Sequence, residues 1–195
     1  MSQQIEIEFK NFLTKAHYEQ LLVEFNVTES QIHRQINHYF DTPDSHLKNL
    51  ASGLRIRIFS HAIECTLKEK SSTHQHLETT DSLTREQADE MLAGKSLPAP
   101  EVSKRLQHLH VPSESLQVFG TLTTDRVELP YKGGTLVFDH SFYLQCDDYE
   151  VEYETNDETL GKNVFEQFLT EFAISPQQTP KKIARFMAAL QGQKG

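Results

Sequence analysis

Three stretches of the chain alternate apolar and charged residues with the two-residue period of a strand whose faces meet different surroundings. In Ile5-Glu6-Ile7-Glu8-Phe9-Lys10 the apolar side carries Ile5, Ile7 and Phe9, and the other side Glu6, Glu8 and Lys10. Tyr149-Glu150-Val151-Glu152-Tyr153-Glu154 repeats the acidic version, and Leu54-Arg55-Ile56-Arg57-Ile58 carries the same alternation with the opposite sign. An antiparallel sheet packed on one face and wet on the other gives such alternation without any function, and for one strand alone that reading is favoured. Adjacent like charges destabilise a sheet, however, so three strands each committed to one charge type point to a shared ligand. Paired carboxylates suit a hard divalent cation such as Mg²⁺, and paired guanidinium forks suit phosphate oxygens.

Between these strands the period switches. Tyr18, Leu21, Leu22 and Phe25 fall at helical spacing behind Thr14, a candidate N-cap. Residues 31–40 read as a strand, closed by the turn Asp41-Thr42-Pro43-Asp44, and a loop or short helix leads to Gly53. Strands over 54–59, 63–69 and 75–80 follow in meander order. Thr84-Arg85-Glu86-Gln87 has the spacing of a capping box with Gly94 as the stop, and a second short helix covers 102–109 between prolines. Strands over 116–129, 135–143 and 149–155 come next, with Lys132-Gly133-Gly134 and Asp147-Asp148 as their turns. A helix starts near Asp157 with Leu160, Val164, Phe165, Phe168, Leu169 and Phe172 as its apolar stripe, and a last helix begins at Thr179-Pro180.

About eight strands, mostly antiparallel, with helices whose single apolar stripes need a sheet to cover, make an α+β fold. Closing that sheet into a barrel points alternate side chains inward, and an antiparallel β-barrel with flanking helices would have an apolar exterior and a polar interior. So many interior charges are tolerable only where opposite signs, a metal and a polyanionic ligand offset one another.

The 195 residues suit one domain, expected over 1–191 with a flexible tail at 192–195. A formal net charge of −9 argues against general nucleic-acid binding, so the basic residues act locally. No apolar run is long enough to span a membrane and the N-terminus lacks the make-up of a signal peptide, which gives a cytoplasmic expectation with no membrane partner. Cys65 and Cys146 lie in strand-like runs without metal-ligand spacing and are expected as buried free thiols.

The Glu6-x-Glu8-x-Lys10 start, Tyr39-Phe40-Asp41-Thr42, Leu54-Arg55-Ile56-Arg57, Thr66-Leu67-Lys68, Arg126, Asp139, Glu150-x-Glu152-x-Glu154 and Lys182-Ile183-Ala184-Arg185 follow one another along nearly the whole chain. In this order they resemble the CYTH superfamily, the triphosphate tunnel metalloenzymes. The resemblance implies an eight-stranded antiparallel closed tunnel with flanking helices and metal-dependent hydrolysis of a triphosphate, inorganic or small and organic. It implies Glu6, Glu8, Glu150 and Glu152 as ligands of Mg²⁺ or Mn²⁺ and as catalytic acids, with Asp139 as a metal or water-positioning acid. Glu154 shares their parity. Lys10, Arg55, Arg57, Lys68, Arg126 and Lys182 would bind the phosphates, with Lys181 as the alternative to Lys182. Glu64 and Glu78 are equally compatible with the lumen and with outward ion pairs.

The implied chemistry is phosphoryl transfer to water without a covalent nucleophile. Two other functions share the same tunnel. Cyclisation of ATP to cyclic AMP is the first, although the His-Phe pair that cyclase-like members tend to carry near the first acidic motif is missing. A non-catalytic polyphosphate or nucleotide binder is the second, and the full set of metal acids counts against it. Neither the organic moiety nor the oligomeric state is legible.

Other motifs carry nothing. Gly94-Lys95-Ser96 ends like a P-loop, but the required upstream glycine is Asp89. His74-x-His76 and His108-x-His110 lack nearby partners and are expected as exposed histidines. The pairs Tyr39-Phe40 and Phe142-Tyr143 read as packing of the barrel wall.

Overall fold

A computed structural model describes residues 3–192 of the chain. The strands are β1 (Gln3–Leu13), β2 (His33–Asp41), β3 (Gly53–Ile58), β4 (Ile63–Lys70), β5 (Gln75–Ser82), β6 (Gln117–Tyr131), β7 (Gly134–Tyr143) and β8 (Cys146–Thr155). The helices are α1 (Lys15–Glu24), α2 (His46–Asn49), α3 (Arg85–Leu92), α4 (Pro100–His108), α5 (Glu158–Glu171) and α6 (Lys182–Gly192). The sheet closes on itself in the order β1-β5-β4-β3-β2-β6-β7-β8, the flanked antiparallel barrel that the sequence pattern leads one to expect. Gly192 closes α6, and the rest of the expected tail lies outside the described residues.

Two compact units form, one containing Gln35–Thr121 and the other Glu6–Arg34 with Leu122 onward. In the first, one face of β3 and β4 buries Leu54, Ile56, Cys65 and Leu67 against Ala88 and Met91 of α3 and Val102 and Leu106 of α4. Thr84 and Gln87 form the expected capping box at the start of α3, and Gly94 ends it at a φ of +68°. The second helix starts at Pro100, before the apolar spacing begins, because Asp81 Oδ2 accepts the amides of Glu101 and Val102, each at 2.9 Å. Directly paired residues share a face, so the opposite side of these strands carries Asn37 and Tyr39 facing Arg57 and Arg55, then Glu64, Thr66 and Lys68.

In the second unit, Ile7, Phe9, Phe138, Val151 and Tyr153 pack beneath α1 and α5, against Tyr18, Leu21, Val164, Phe165 and Phe168. The apolar stripe of α5 starts one residue later than its spacing suggests. Leu160 is 56% exposed, and Gly161 instead faces the sheet, close to Thr155 and Phe9, where a larger residue has no room.

The β7–β8 turn is Leu144-Gln145 rather than Asp147-Asp148, with Tyr143 paired to Cys146 across it and Leu144 at a φ of +54°. Both aspartates are drawn into β8 by side-chain partners: Asp147 meets His140 at 2.8 Å, and Asp148 accepts from the Tyr143 hydroxyl. The last helix begins at Lys182, later than Thr179-Pro180, because the Thr179 hydroxyl oxygen accepts the Phe12 amide at 2.9 Å and is spent on β1. Cys65 is buried as expected, but Cys146 is exposed beside the turn. His76, expected at the surface, is buried, on the same face of β5 as Glu78.

Candidate functional site

The alternation of β8 sends Val151 and Tyr153 into the apolar layer and Glu150 and Glu152 to the other face. In register with them stand Asp139 of β7, opposite Glu150, and Lys10 of β1, opposite Glu152. Arg126 of β6 is paired with Asp139. From outside the sheet, α6 contributes Lys182 and Arg185, three residues apart and therefore on one side of the helix.

These side chains form one buried ion network. The Lys182 ammonium lies 2.7 Å from Asp139 Oδ2 and 3.0 Å from Glu152 Oε1 and also donates to Glu150. Arg126 forks onto Asp139 with bonds of 2.8 and 2.6 Å and reaches Glu152 at 2.8 Å. Lys10 Nζ is 2.8 Å from Glu8 and 3.6 Å from Glu152. Arg185 clamps the outer end: it donates to Glu150, to Asp148 at 3.0 Å and to the Pro180 carbonyl at 2.9 Å, with its guanidinium over the Phe12 ring.

The charges sort the acids. Burial alone would raise Glu152, but Lys182, Arg126 and Lys10 outweigh it and hold this carboxyl well below the usual range. Asp139 is likewise lowered against its burial, by Arg126 and Lys182. Glu150 goes the other way, pushed up to about 7 by burial and by the neighbouring Glu152, against the pull of Lys182. Glu154 is also pushed up to about 7, by burial together with Glu152, Glu6 and Glu128. Lys182 is raised, its three acids prevailing over desolvation.

Asp139, Glu150 and Glu152 offer carboxylate oxygens within 4.8 Å of one another. Oxygen donors alone, already gathered around one cation, fit a hard divalent metal such as Mg²⁺ or Mn²⁺. Glu6 and Glu8 lie on the same side of β1 as Lys10, with Glu8 buried beside it.

In the other unit, Arg55, Arg57 and Lys68 share the face opposite α3 and α4. Lys68 Nζ is 3.6 Å and Arg55 4.0 Å from Glu78, which therefore stands on this polar face, and Glu64 stands opposite Arg57. Arg57 donates to Asn37 Oδ1 at 2.8 Å. The Lys182 ammonium enters the acid group. Sequence reasoning did not assign roles to Arg185, Asp148 and Tyr143. The three-residue spacing of Arg185 from Lys182 is the signal that could have found the first; the other two depend on a turn that lies three residues earlier than its sequence signal.

A closed antiparallel barrel with acids and bases buried together on the polar face of its strands defines a class of charge-lined barrel proteins. Within it, the chain belongs to the CYTH family, whose domain model matches residues 4–187. It is 41% identical over 191 residues to a Bacillus subtilis protein named "Putative triphosphatase YjbK", covering 95% of this chain and 96% of that one. A solved Bacillus halodurans protein, named a "putative adenylate cyclase", superposes with a TM-score of 0.91 at 37% identity over 95% of this chain and 99% of its own. A Hippeastrum protein, named a "putative adenylyl cyclase" with a dominant triphosphatase activity, shares the fold at a TM-score of 0.79 and 23% identity, over 95% of each chain.

Proposed function

We propose that this chain hydrolyses a triphosphate, inorganic or small and organic, with Mg²⁺ or Mn²⁺ held by Glu6, Glu8, Glu150 and Glu152. The observation that carries the reading is the buried group in which Asp139, Glu150 and Glu152 surround an ammonium while a guanidinium holds two of them. So dense a set of buried charges is costly as a structural device. It suits a ligand that is itself a metal-bound polyanion. The name of the Bacillus subtilis relative supports the same activity.

A bound divalent ion would neutralise phosphate oxygens and make an attacking water more acidic. The chain's own residues do the rest. Arg55, Arg57 and Lys68, with Lys10, Arg126 and Lys182, take the phosphate oxygens and spread the charge of the transferred group. Asp139, kept ionised by Arg126, accepts a hydrogen bond from the attacking water and fixes its orientation. Positioning and electrostatics supply the rate, so no covalent nucleophile is required.

The name of the Bacillus halodurans neighbour favours a second reading, cyclisation of ATP. One assay separates the two: inorganic triphosphate, thiamine triphosphate and ATP are incubated with Mg²⁺ or Mn²⁺ and the products resolved by chromatography. Orthophosphate released only with metal supports the triphosphatase. Pyrophosphate with a cyclic nucleotide would replace it by the cyclase, and binding without turnover would leave a polyphosphate-binding module.

A further inference from the structure

Asp148 stands two residues before Glu150 on β8 and Tyr143 four residues after Asp139 on β7, so both share the face of the acid group. Phe12 of β1 pairs with Glu150 and brings its ring to the same side. One guanidinium meets them all. Arg185 Nη1 donates to Glu150 Oε2 and, at 2.9 Å, to the Pro180 carbonyl. Its Nη2 donates to Asp148 Oδ1 at 3.0 Å, and its Nε lies 2.9 Å from Asp148 Oδ2. The Tyr143 hydroxyl donates to that same Oδ2, and the Phe12 ring centroid is 4.9 Å from the guanidinium carbon.

An arginine facing a lone carboxylate commonly closes on it as a two-bond fork and takes both oxygens. Here Asp148 takes the fork. Glu150 is left with a single bond on Oε2, while its Oε1 stays in the acid group and accepts from Lys182. A carboxylate pinned in this way has one oxygen to give to a metal. Mg²⁺ demands near-octahedral geometry and is served by single carboxylate oxygens, whereas Ca²⁺ gathers a larger oxygen shell and gains from carboxylates that bind through both oxygens.

We propose that Arg185, with its fork occupied by Asp148, is a positioning residue that holds Glu150 to one metal-facing oxygen and so favours Mg²⁺ over Ca²⁺ at the acid group. The inference rests on the reading of Glu150 as a metal ligand. Tyr143 acts one step further out, because its hydroxyl keeps Asp148 turned toward the guanidinium.

The test is a Mn²⁺ titration read by electron paramagnetic resonance, with Mg²⁺ and Ca²⁺ as competitors, in the wild type, Arg185→Met, Asp148→Asn and Tyr143→Phe. It measures binding without turnover. Arg185→Met frees the second Glu150 oxygen, so the Kd for Mg²⁺ should rise about tenfold while that for Ca²⁺ stays level or falls. Asp148→Asn lets the fork close on Glu150, so both metals should weaken about tenfold. Tyr143→Phe should shift both in the same direction by about threefold, the scale of one hydrogen bond. As the mildest change it guards against variants that fail to fold, with melting temperatures in EDTA as the check. Equal losses for the two metals in Arg185→Met, or unchanged affinities in all three variants, overturn the proposal and leave Arg185 as an anchor of α6. A wild type that binds no Mn²⁺ overturns the metal reading of Glu150 itself, and this inference with it.

Discussion

Lys182 Nζ lies 2.7 Å from Asp139 Oδ2 and 3.0 Å from Glu152 Oε1, so one ammonium sits within the acid group that a divalent metal would also use. Lys182→Met should therefore act in two directions. Without metal the variant should lose about 4 kcal/mol of stability, the scale of breaking a buried ion pair from one side. With Mg²⁺ it should recover more of its melting temperature than wild type does, because no ammonium competes for the carboxylates. Thermal denaturation in EDTA and in a Mg²⁺ series reads both effects. Equal Mg²⁺ shifts in the two proteins would separate the metal from this group.

Glu152→Gln keeps the shape of β8 but leaves Lys10, Arg126 and Lys182 with one acid fewer. Phosphate release should fall at least a hundredfold, and raising Mg²⁺ should not restore it. Glu8→Gln should lose activity in the same way while folding normally. Near wild-type turnover at limiting Mg²⁺ in either variant would remove that residue from the metal site.

Arg126→Lys tests the fork. The guanidinium makes two bonds to Asp139 and one to Glu152, and an ammonium cannot reproduce that planar pattern. The variant should unfold at lower denaturant concentration by about 2 kcal/mol and show a raised KM for triphosphate. Unchanged stability would mean that Asp139 relies on Lys182 alone.

Above neutrality the protein should weaken through two groups buried in its apolar layers. Burial pushes the Tyr18 hydroxyl up to about 12 from 10.0 and the Cys65 thiol up to about 12 from 9.0, with Asp139 and Asp81 adding respectively. Both folded values are raised, so each contribution is whole below the unfolded value and is lost as pH rises toward 12. Tyr18→Phe should flatten the fall in melting temperature above about pH 10. An unchanged alkaline slope would show that Tyr18 ionises as readily in the fold as outside it.

Gly134→Ala should destabilise by about 3 kcal/mol through overpacking, since an added methyl meets the Glu154 carbonyl and lies 2.7 Å from the Tyr153 ring. Gly133→Ala tests something different. No atom crowds it, but its φ of +84° is one an L side chain adopts only under strain. A milder loss than at Gly134 is expected, by urea denaturation of both variants, and the reverse order would contradict the packing described around Tyr153.

The elements most readable from sequence are those whose signal is local. The capping box at Thr84, the Thr14 cap, the helix start near Asp157 and the alternation of β1, β3 and β8 each depend on a few neighbouring residues, and each stands where its pattern puts it. What escaped depends on distant partners. Thr179 looks like a helix cap until Phe12 takes its hydroxyl, and Asp147-Asp148 looks like a turn until His140 and Tyr143 claim the two carboxylates. The same holds at the candidate site. Residue types and parity set out the acids and bases in advance, but the gathering of Lys182 and Arg185 around β8 follows from the docking of α6, which no local pattern encodes.

Because Lys10 of the first strand finds its place opposite Glu152 of the last, most of the chain must be synthesised before this ladder can form. Until then β1 can pair only with β5, and the edge that β8 will cover stays open. So non-local a closure makes assembly slow. A ribosome stalled midway through the chain would thus present a sticky N-terminal strand to whatever chaperone or aggregate is nearest.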